Sequence, residues 1–246
     1  MRLLCVTAHP DDEAGNFGGS LRMYGERGVE TFVICLTAGT AGSHRGKASS
    51  DAELAAIRRQ EFAASCQILN VTRGEVLDYP DGALDTVPFV QVVADLTRRI
   101  RSIRPHVIIT FGAEGGVTAH PDHTMVALFT MAAFQWAART DRFREQLENE
   151  GLHAHRTQKL YLATASFHLR ERQPVALAPS TTILEIAPFV DAKIAAFKAH
   201  TSQSPLFPIF EDIVRQRGNR ERFILAATTI THDVRREDDL FDGVKE

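Results

Sequence analysis

The chain of 246 residues has only three cysteines, Cys5, Cys35 and Cys66, and no Cys-x-x-Cys pair. Each falls in an apolar context, so a disulfide framework or a thiolate zinc site gives way to three buried small hydrophobes. A reducing compartment, the cytoplasm, is the expected location. No apolar run approaches the roughly 20 residues that span a bilayer. Met1 to Val6 is too short before His9 to hold a signal-peptide core. The formal net charge of −3 leaves no basic footprint for nucleic acid or an anionic membrane. Low-complexity tracts and linkers are missing as well. What remains, 44% hydrophobic and 24% charged residues, is ordinary globular composition. The economical organisation is one domain over 1–246, with a charged tail at 233–246 expected to fray.

The apolar patterning is that of an α/β domain. Residues 2–7 and 30–36 read as strands, and 18–27 between them as a helix stopped by Gly28. That βαβ unit predicts a parallel sheet. A Gly-rich polar loop covers 37–50. Ser50-Asp51-Ala52-Glu53 then has the form of a capping box. It opens a helix whose apolar face is Leu54, Ile57, Phe62, Cys66 and Leu69. Strands are expected at 75–77, 106–110, 160–162, 182–184 and 222–229. Helices are expected at 88–103, 122–138 and 190–200, and 140–156 is helical or irregular. The fold class is therefore α/β and Rossmann-like, a mostly parallel central sheet with helices on both faces.

Two tetrads carry the chemistry. His9-Pro10-Asp11-Asp12 follows the first strand, and His120-Pro121-Asp122-His123 follows the fourth. In an open α/β sheet ligands bind beyond the carboxyl ends of the strands, so both tetrads can face one cleft. Each proline suits the first position of a helical turn, which puts tetrad residues one and four on one face. Two histidines and a carboxylate around one point suit a catalytic zinc, which keeps three protein ligands and an open position. A free carboxylate and a proton donor complete an acid–base set. The spacing does not say which histidine is ligand and which is acid.

Ala8-His9-Pro10-Asp11-Asp12-Glu13 together with His120-Pro121-Asp122-His123 resembles the LmbE/PIG-L family of zinc-dependent de-N-acetylases. The likeness covers most of the chain. It extends to Thr37-Ala38-Gly39, Arg58-Arg59-Gln60-Glu61, Asp81-Gly82, and Lys193 through His200-Thr201-Ser202-Gln203. The resemblance implies a Rossmann-like fold and removal of acyl groups, commonly acetyl from N-acetylglucosamine derivatives. It implies that His9, Asp12 and His123 ligate zinc and that Asp11 is the general base. His120 would stabilise the oxyanion or protonate the leaving amine, with Asp122 orienting its ring. Some members carry Tyr-Gly where Thr118-Ala119 stand here, so an extra tyrosine donor is not expected.

Weaker candidates surround these. Arg58 matches a family position that contacts substrate, Asp81 could bind sugar hydroxyls, and His200 could wall the site. Glu13 is expected to steady the loop without binding metal. His44 in the Gly-rich loop could reach the cleft but reads more simply as an exposed histidine, and His106, His153, His155, His168 and His232 have no partner pattern. Gly15-x-x-Gly18-Gly19 lacks the dinucleotide fingerprint and reads as close helix packing. Specificity is expected from loops at 37–50, 111–119 and 206–216.

The substrate expected is a small N-acylated amine containing an amino sugar, with Zn2+ as cofactor and Fe2+ or another divalent metal as the alternative for the same donor set. Homo-oligomerisation is left open. The alternatives are another metal-dependent hydrolase, acting on the amide of a thiol–sugar conjugate or on a phosphoester, and a non-catalytic nucleotide-binding module.

Overall fold

The computed structural model describes residues 1–164, 176–230 and 236–246. In chain order the elements are β1 (Arg2–Thr7), α1 (Asp12–Glu26), β2 (Glu30–Thr37), α2 (Asp51–Ile68) and β3 (Arg73–Tyr79). Then come α3 (Phe89–Ile103), β4 (Val107–Phe111), α4 (Pro121–Ala137), α5 (Arg144–Glu148) and β5 (Lys159–Ala163). The last are β6 (Thr182–Glu185), α6 (Val190–Lys198), α7 (Phe207–Arg217) and β7 (Arg220–Thr228).

The seven strands form one sheet in the order β3-β2-β1-β4-β5-β7-β6. The first five are parallel; β7 runs antiparallel to both β5 and β6. β1 and β4 lie side by side while their chains proceed to opposite edges, so the switch in strand order falls between them. Both are buried almost end to end, as a central parallel strand covered on both faces must be. α1 packs with α2 and α6, and α3 packs with α4, giving the two helical layers of a single α/β domain. None of the described helices is long and apolar enough to cross a membrane.

Local chemistry explains the boundaries. Ser50 caps α2 by accepting from Glu53 N at 3.2 Å. The box is only half closed, because Glu53 turns to Ser49 N and Oγ, at 2.8 and 2.7 Å, instead of the cap's own N–H. α1 starts at Asp12, six residues before the expected 18, because Asp12 and Glu13 place acid in its first turn. Pro121 is the first residue of α4, as its ring favours, whereas Pro10 lies in the turn ahead of α1. The glycine run packs as expected: a Cβ on Gly19 would come within 2.3 Å of Ile186 Cδ1.

Two expectations fail. Residues 206–216 do not form a loop; they supply most of α7. The tail does not fray where it is described. Leu240 is fully buried, its N–H donates to Tyr24 Oη at 2.8 Å, and Glu237 is buried against Lys159 and Tyr161. Glu237 and Asp239 are held by partners far away in the chain, Lys159 and Tyr161 for one and Tyr24 and Arg27 for the other, where a count of apolar anchors does not register them.

Candidate metal centre

β1 delivers the first tetrad and the β4–α4 connection delivers the second. The Ala8 carbonyl, just past β1, accepts from both Thr37 N and Thr37 Oγ1 at 2.9 Å, which pins the first turn to the end of β2. In the second turn Gly115 has φ +79°, and a Cβ there would lie 2.7 Å from His120 N and O. A side chain would push His120 away, so the position requires glycine.

The turns meet at His9. Its Nδ1 lies 3.4 Å from Asp12 Oδ2 and 3.3 Å from His123 Nε2. His123 Nε2 in turn lies 3.2 Å from Asp12 Oδ1. The other side of each ring is already committed. His123 Nδ1 donates to the Gly115 carbonyl at 3.0 Å. His9 Nε2 faces two carboxylates, Asp81 at 3.1 Å and Asp122 at 3.2 Å. Those acceptors place the ring protons outward, so two imidazole lone pairs and a carboxylate face one another across about 3.3 Å.

Nothing in that triangle can donate unless a positive charge enters it. Burial opposes charge on His9, yet Asp12, Asp122 and Asp81 outweigh it and raise the ring well above its ordinary value. Burial likewise works against ionised Asp12, and His123 and His9 still hold its carboxyl well below the usual range. The site therefore attracts a cation. Donors 2.0–2.1 Å from a tetrahedrally held ion stand ~3.3 Å apart, so the spacing suits zinc. His9, His120 and Asp122 also gather closely. There, however, Asp122 Oδ2 already accepts from Gly82 N at 2.7 Å and Oδ1 from Leu84 N at 3.1 Å.

Asp11 stands beside the triangle in a backbone conformation that L-residues seldom adopt, φ 122°. Two groups hold it there. Its N–H donates to Glu13 Oε2 at 3.0 Å, and Arg58 Nη2 contacts its Oδ2 at 2.9 Å. The same guanidinium donates to the Pro10 carbonyl, and to Gly39 O at 2.8 Å. Behind Glu13 stand Ser65 Oγ at 2.6 Å and His200 Nε2 at 2.7 Å. Burial opposes charge on His200, but Glu13 and Asp11 raise it above the ordinary histidine value. For Asp11 burial dominates and lifts the carboxyl to about 6, with Arg58 pulling the other way.

His120 caps α4: its Nδ1 accepts from Asp122 N at 3.1 Å. That bond assigns the proton to Nε2. Burial, then His9 and His123, lower its pKa, so the ring is a neutral donor. Asp122 reaches His120 through its backbone, while its carboxylate goes to His9. The expectation that Asp122 orients the His120 ring is corrected accordingly, since the Gly82 and Leu84 amides fix that carboxylate on the His9 side.

The three weaker candidates are drawn into the framework. Arg58 is buried and committed to Asp11 and two carbonyls. Asp81 accepts from Ala41 N at 2.6 Å and Thr37 Oγ1 at 3.3 Å besides facing His9. His200 is fully buried. All three side chains are committed to partners within the protein. Glu13 was expected only to steady the loop; its tie to the strained Asp11 depends on folded geometry that spacing does not carry. His106 Nδ1 accepts from Arg2 N, and His155 donates to Pro105 O, both ordinary framework contacts. His44 meets the region through its carbonyl, which accepts from Gln203. His168 and His232 lie outside the described residues.

Known proteins resemble the chain over most of its length. The family model described as GlcNAc-PI de-N-acetylase, PIG-L, matches residues 4–134, which include both tetrads. A mycothiol S-conjugate amidase of Streptomyces coelicolor is 29% identical, covering 100% of this chain and 98% of its own length. A 1D-myo-inositol 2-acetamido-2-deoxy-α-D-glucopyranoside deacetylase of Acidothermus cellulolyticus is 30% identical, covering 98% and 94%. Among solved structures, the N,N'-diacetylchitobiose deacetylase of Pyrococcus horikoshii superposes with a TM-score of 0.75 at 24% identity. It covers 91% of this chain and 83% of its own, a likeness of fold.

Proposed function

Because the chain belongs to the PIG-L family, we propose that it is a metal-dependent amidohydrolase removing an N-acyl group from an amino sugar or its conjugate. The observation that carries this is the triangle of two imidazole lone pairs and a carboxylate with the Asp11 carboxylate beside it. His9 Nδ1, Asp12 and His123 Nε2 would hold the ion, Zn2+ on its donor set, with Fe2+ also suited. When bound, such an ion supplies Lewis acidity for the amide carbonyl and for water.

The protein's own groups do the rest. Asp11 accepts the proton of the attacking water, and Arg58 and the Glu13 tie keep its carboxylate aimed. His120 offers its Nε2–H as a hydrogen-bond donor to the oxygen that gains charge. Its Nδ1 is engaged by the α4 cap, so His120 keeps its proton, and the one collected by Asp11 is passed to the leaving amine. Asp81 and Asp122 hold the His9 ring in the tautomer that presents Nδ1. The names of the two relatives support both an N-acetylated amino sugar and the amide of a thiol–sugar conjugate as substrates.

The test is metal analysis of the purified protein together with amine release from N-acetylglucosaminyl substrates, before and after chelation. About one divalent ion per chain, loss of turnover on chelation, and loss in Asp11→Asn with metal retained are expected. No tightly bound ion and full activity in Asp11→Asn would sink the proposal.

A further inference from the structure

Beside the metal centre lies a cavity of about 430 Å³, within the ordinary range of small-molecule pockets. Its wall includes His9, Asp11, His120 and His123, so it opens directly onto the reacting groups. An acetyl methyl needs only a small fraction of that volume. The remainder is walled largely by apolar side chains, among them Phe111, Phe197, Phe210, Ile213 and Phe223, with Arg222 and the Glu185-paired Arg220 also in the wall.

The apolar wall is built into the framework. Phe111 stacks on His123 with ring centroids 3.9 Å apart and planes within 5°, so one ring serves both the pocket and the metal triangle. Phe197 of α6 stacks on Phe210 of α7 at 3.8 Å. Ile209 of α7, another lining residue, leaves 56% of its surface to solvent, exposing apolar area next to the cavity. A conspicuous ion pair in the wall is satisfied internally. Lys193 Nζ lies 2.6 Å from Glu221 Oε1, and Glu221 also accepts from Gly19 N and Ser20 N at 2.9 Å. A sugar seated here would bury hydroxyls against aromatic and aliphatic carbon, each at a cost unless it found a partner. An alkyl or aryl group would not.

We infer that the natural substrate carries an apolar group close to the scissile amide and that this cavity receives it. The inference rests on the amidase reading above and sharpens the substrate class: an amphiphilic amide, polar on the amino-sugar side and apolar where it meets α6 and α7. The apolar group can come from either of two sources, an acyl chain longer than acetyl or an apolar substituent carried by the amine half.

Two substrate series separate the sources. One varies the acyl group of glucosamine from acetyl through butyryl and hexanoyl to octanoyl. The other keeps N-acetyl and lengthens an alkyl glycoside from methyl to octyl. In one series kcat/KM should rise about three- to fourfold per methylene until the cavity fills, and Ile213→Asp should flatten that slope. A flat or falling trend in both series, with the acetyl compound turned over, overturns the inference and leaves the amidase reading standing. If no amide is cleaved, the amidase reading falls, and the pocket is then read by calorimetry on metal-loaded Asp11→Asn. There, tighter binding of octanoylglucosamine or octyl N-acetylglucosaminide than of the short-chain compounds supports the inference, and equal binding overturns it.

Discussion

The C-terminal segment supplies the sharpest test of how this fold is held. Lys159 on β5 is fully buried, and its ammonium lies 2.7 Å from Glu237 Oε1 and 3.0 Å from Tyr161 Oη. Glu237 also accepts from Tyr161 Oη and, at 3.3 Å, from Thr182 Oγ1. Its backbone joins the sheet edge as well, donating to Thr181 O at 2.9 Å. In Glu237→Ala the buried ammonium keeps, among the described residues, a tyrosine hydroxyl, and breaking such a pair costs ~3–5 kcal/mol. At ~2–4 °C per kcal/mol for a chain of this size, Tm should fall by about 6–20 °C. Lys159→Met should cost less, because the carboxylate retains the Tyr161 and Thr182 hydroxyl donors. The double variant should show coupling of about 2 kcal/mol or more between the two sites. Scanning calorimetry of the four proteins at pH 7 measures all of this. A drop of less than about 2 °C in Glu237→Ala, or a larger loss in Lys159→Met than in Glu237→Ala, would refute the reasoning and restore a loosely attached tail.

Other outcomes follow from the centre and its support. Glu13→Gln should lower kcat about tenfold or more while leaving KM and metal content unchanged, since it loosens a charge-assisted bond to the Asp11 amide; unchanged kcat would mean that the strained φ is held without it. Asp11 protonates below its raised value of about 6, so kcat/KM should fall toward acid, and Arg58→Gln, which removes the charge pulling that value down, should move the acid limb to higher pH. A bound cation lowers both limbs and keeps their order; a limb that stays put or moves down in Arg58→Gln contradicts the assignment. Gly19→Ala should destabilise by about 1–3 kcal/mol through overpacking against Ile186, with activity per folded molecule retained; an unchanged Tm would show that the contact yields freely.

What could be read from the sequence was what is local or periodic. His9 and Asp12 are three apart and do face each other, and the strands that carry both tetrads follow from their apolar runs. The resemblance supplied the grouping of His9, Asp12 and His123, and the fold brings those three side chains together. The misread parts depend on distant partners. Asp122 was assigned to its neighbour His120, but its carboxylate is claimed by amides at Gly82 and Leu84, 40 and 38 residues earlier. Arg58 looked available on an amphipathic helix and is spent on the turn after β1. Glu237 sits in a charged run with few apolar residues, and only the sheet edge shows why it is buried. The segment 206–216 contains Pro208 and polar residues between its apolar ones, which obscured the helix whose apolar side chains line the cavity.

His9 and His123 are 114 residues apart in the chain, and their ring nitrogens come within 3.3 Å. An ion held by both would act as a reversible cross-link around a loop of that length. Closing so long a loop restricts an unfolded chain substantially, and the loop contains β2, β3 and β4, half of the parallel sheet and more. Metal loading would then report on assembly as well as on catalysis. A chain with β3 out of register would lose Asp81 behind His9 and the Gly82 and Leu84 amides that hold Asp122 there. The ring orientation the ion needs would go with them, so metal binding would discriminate against misassembled sheets before any substrate arrives.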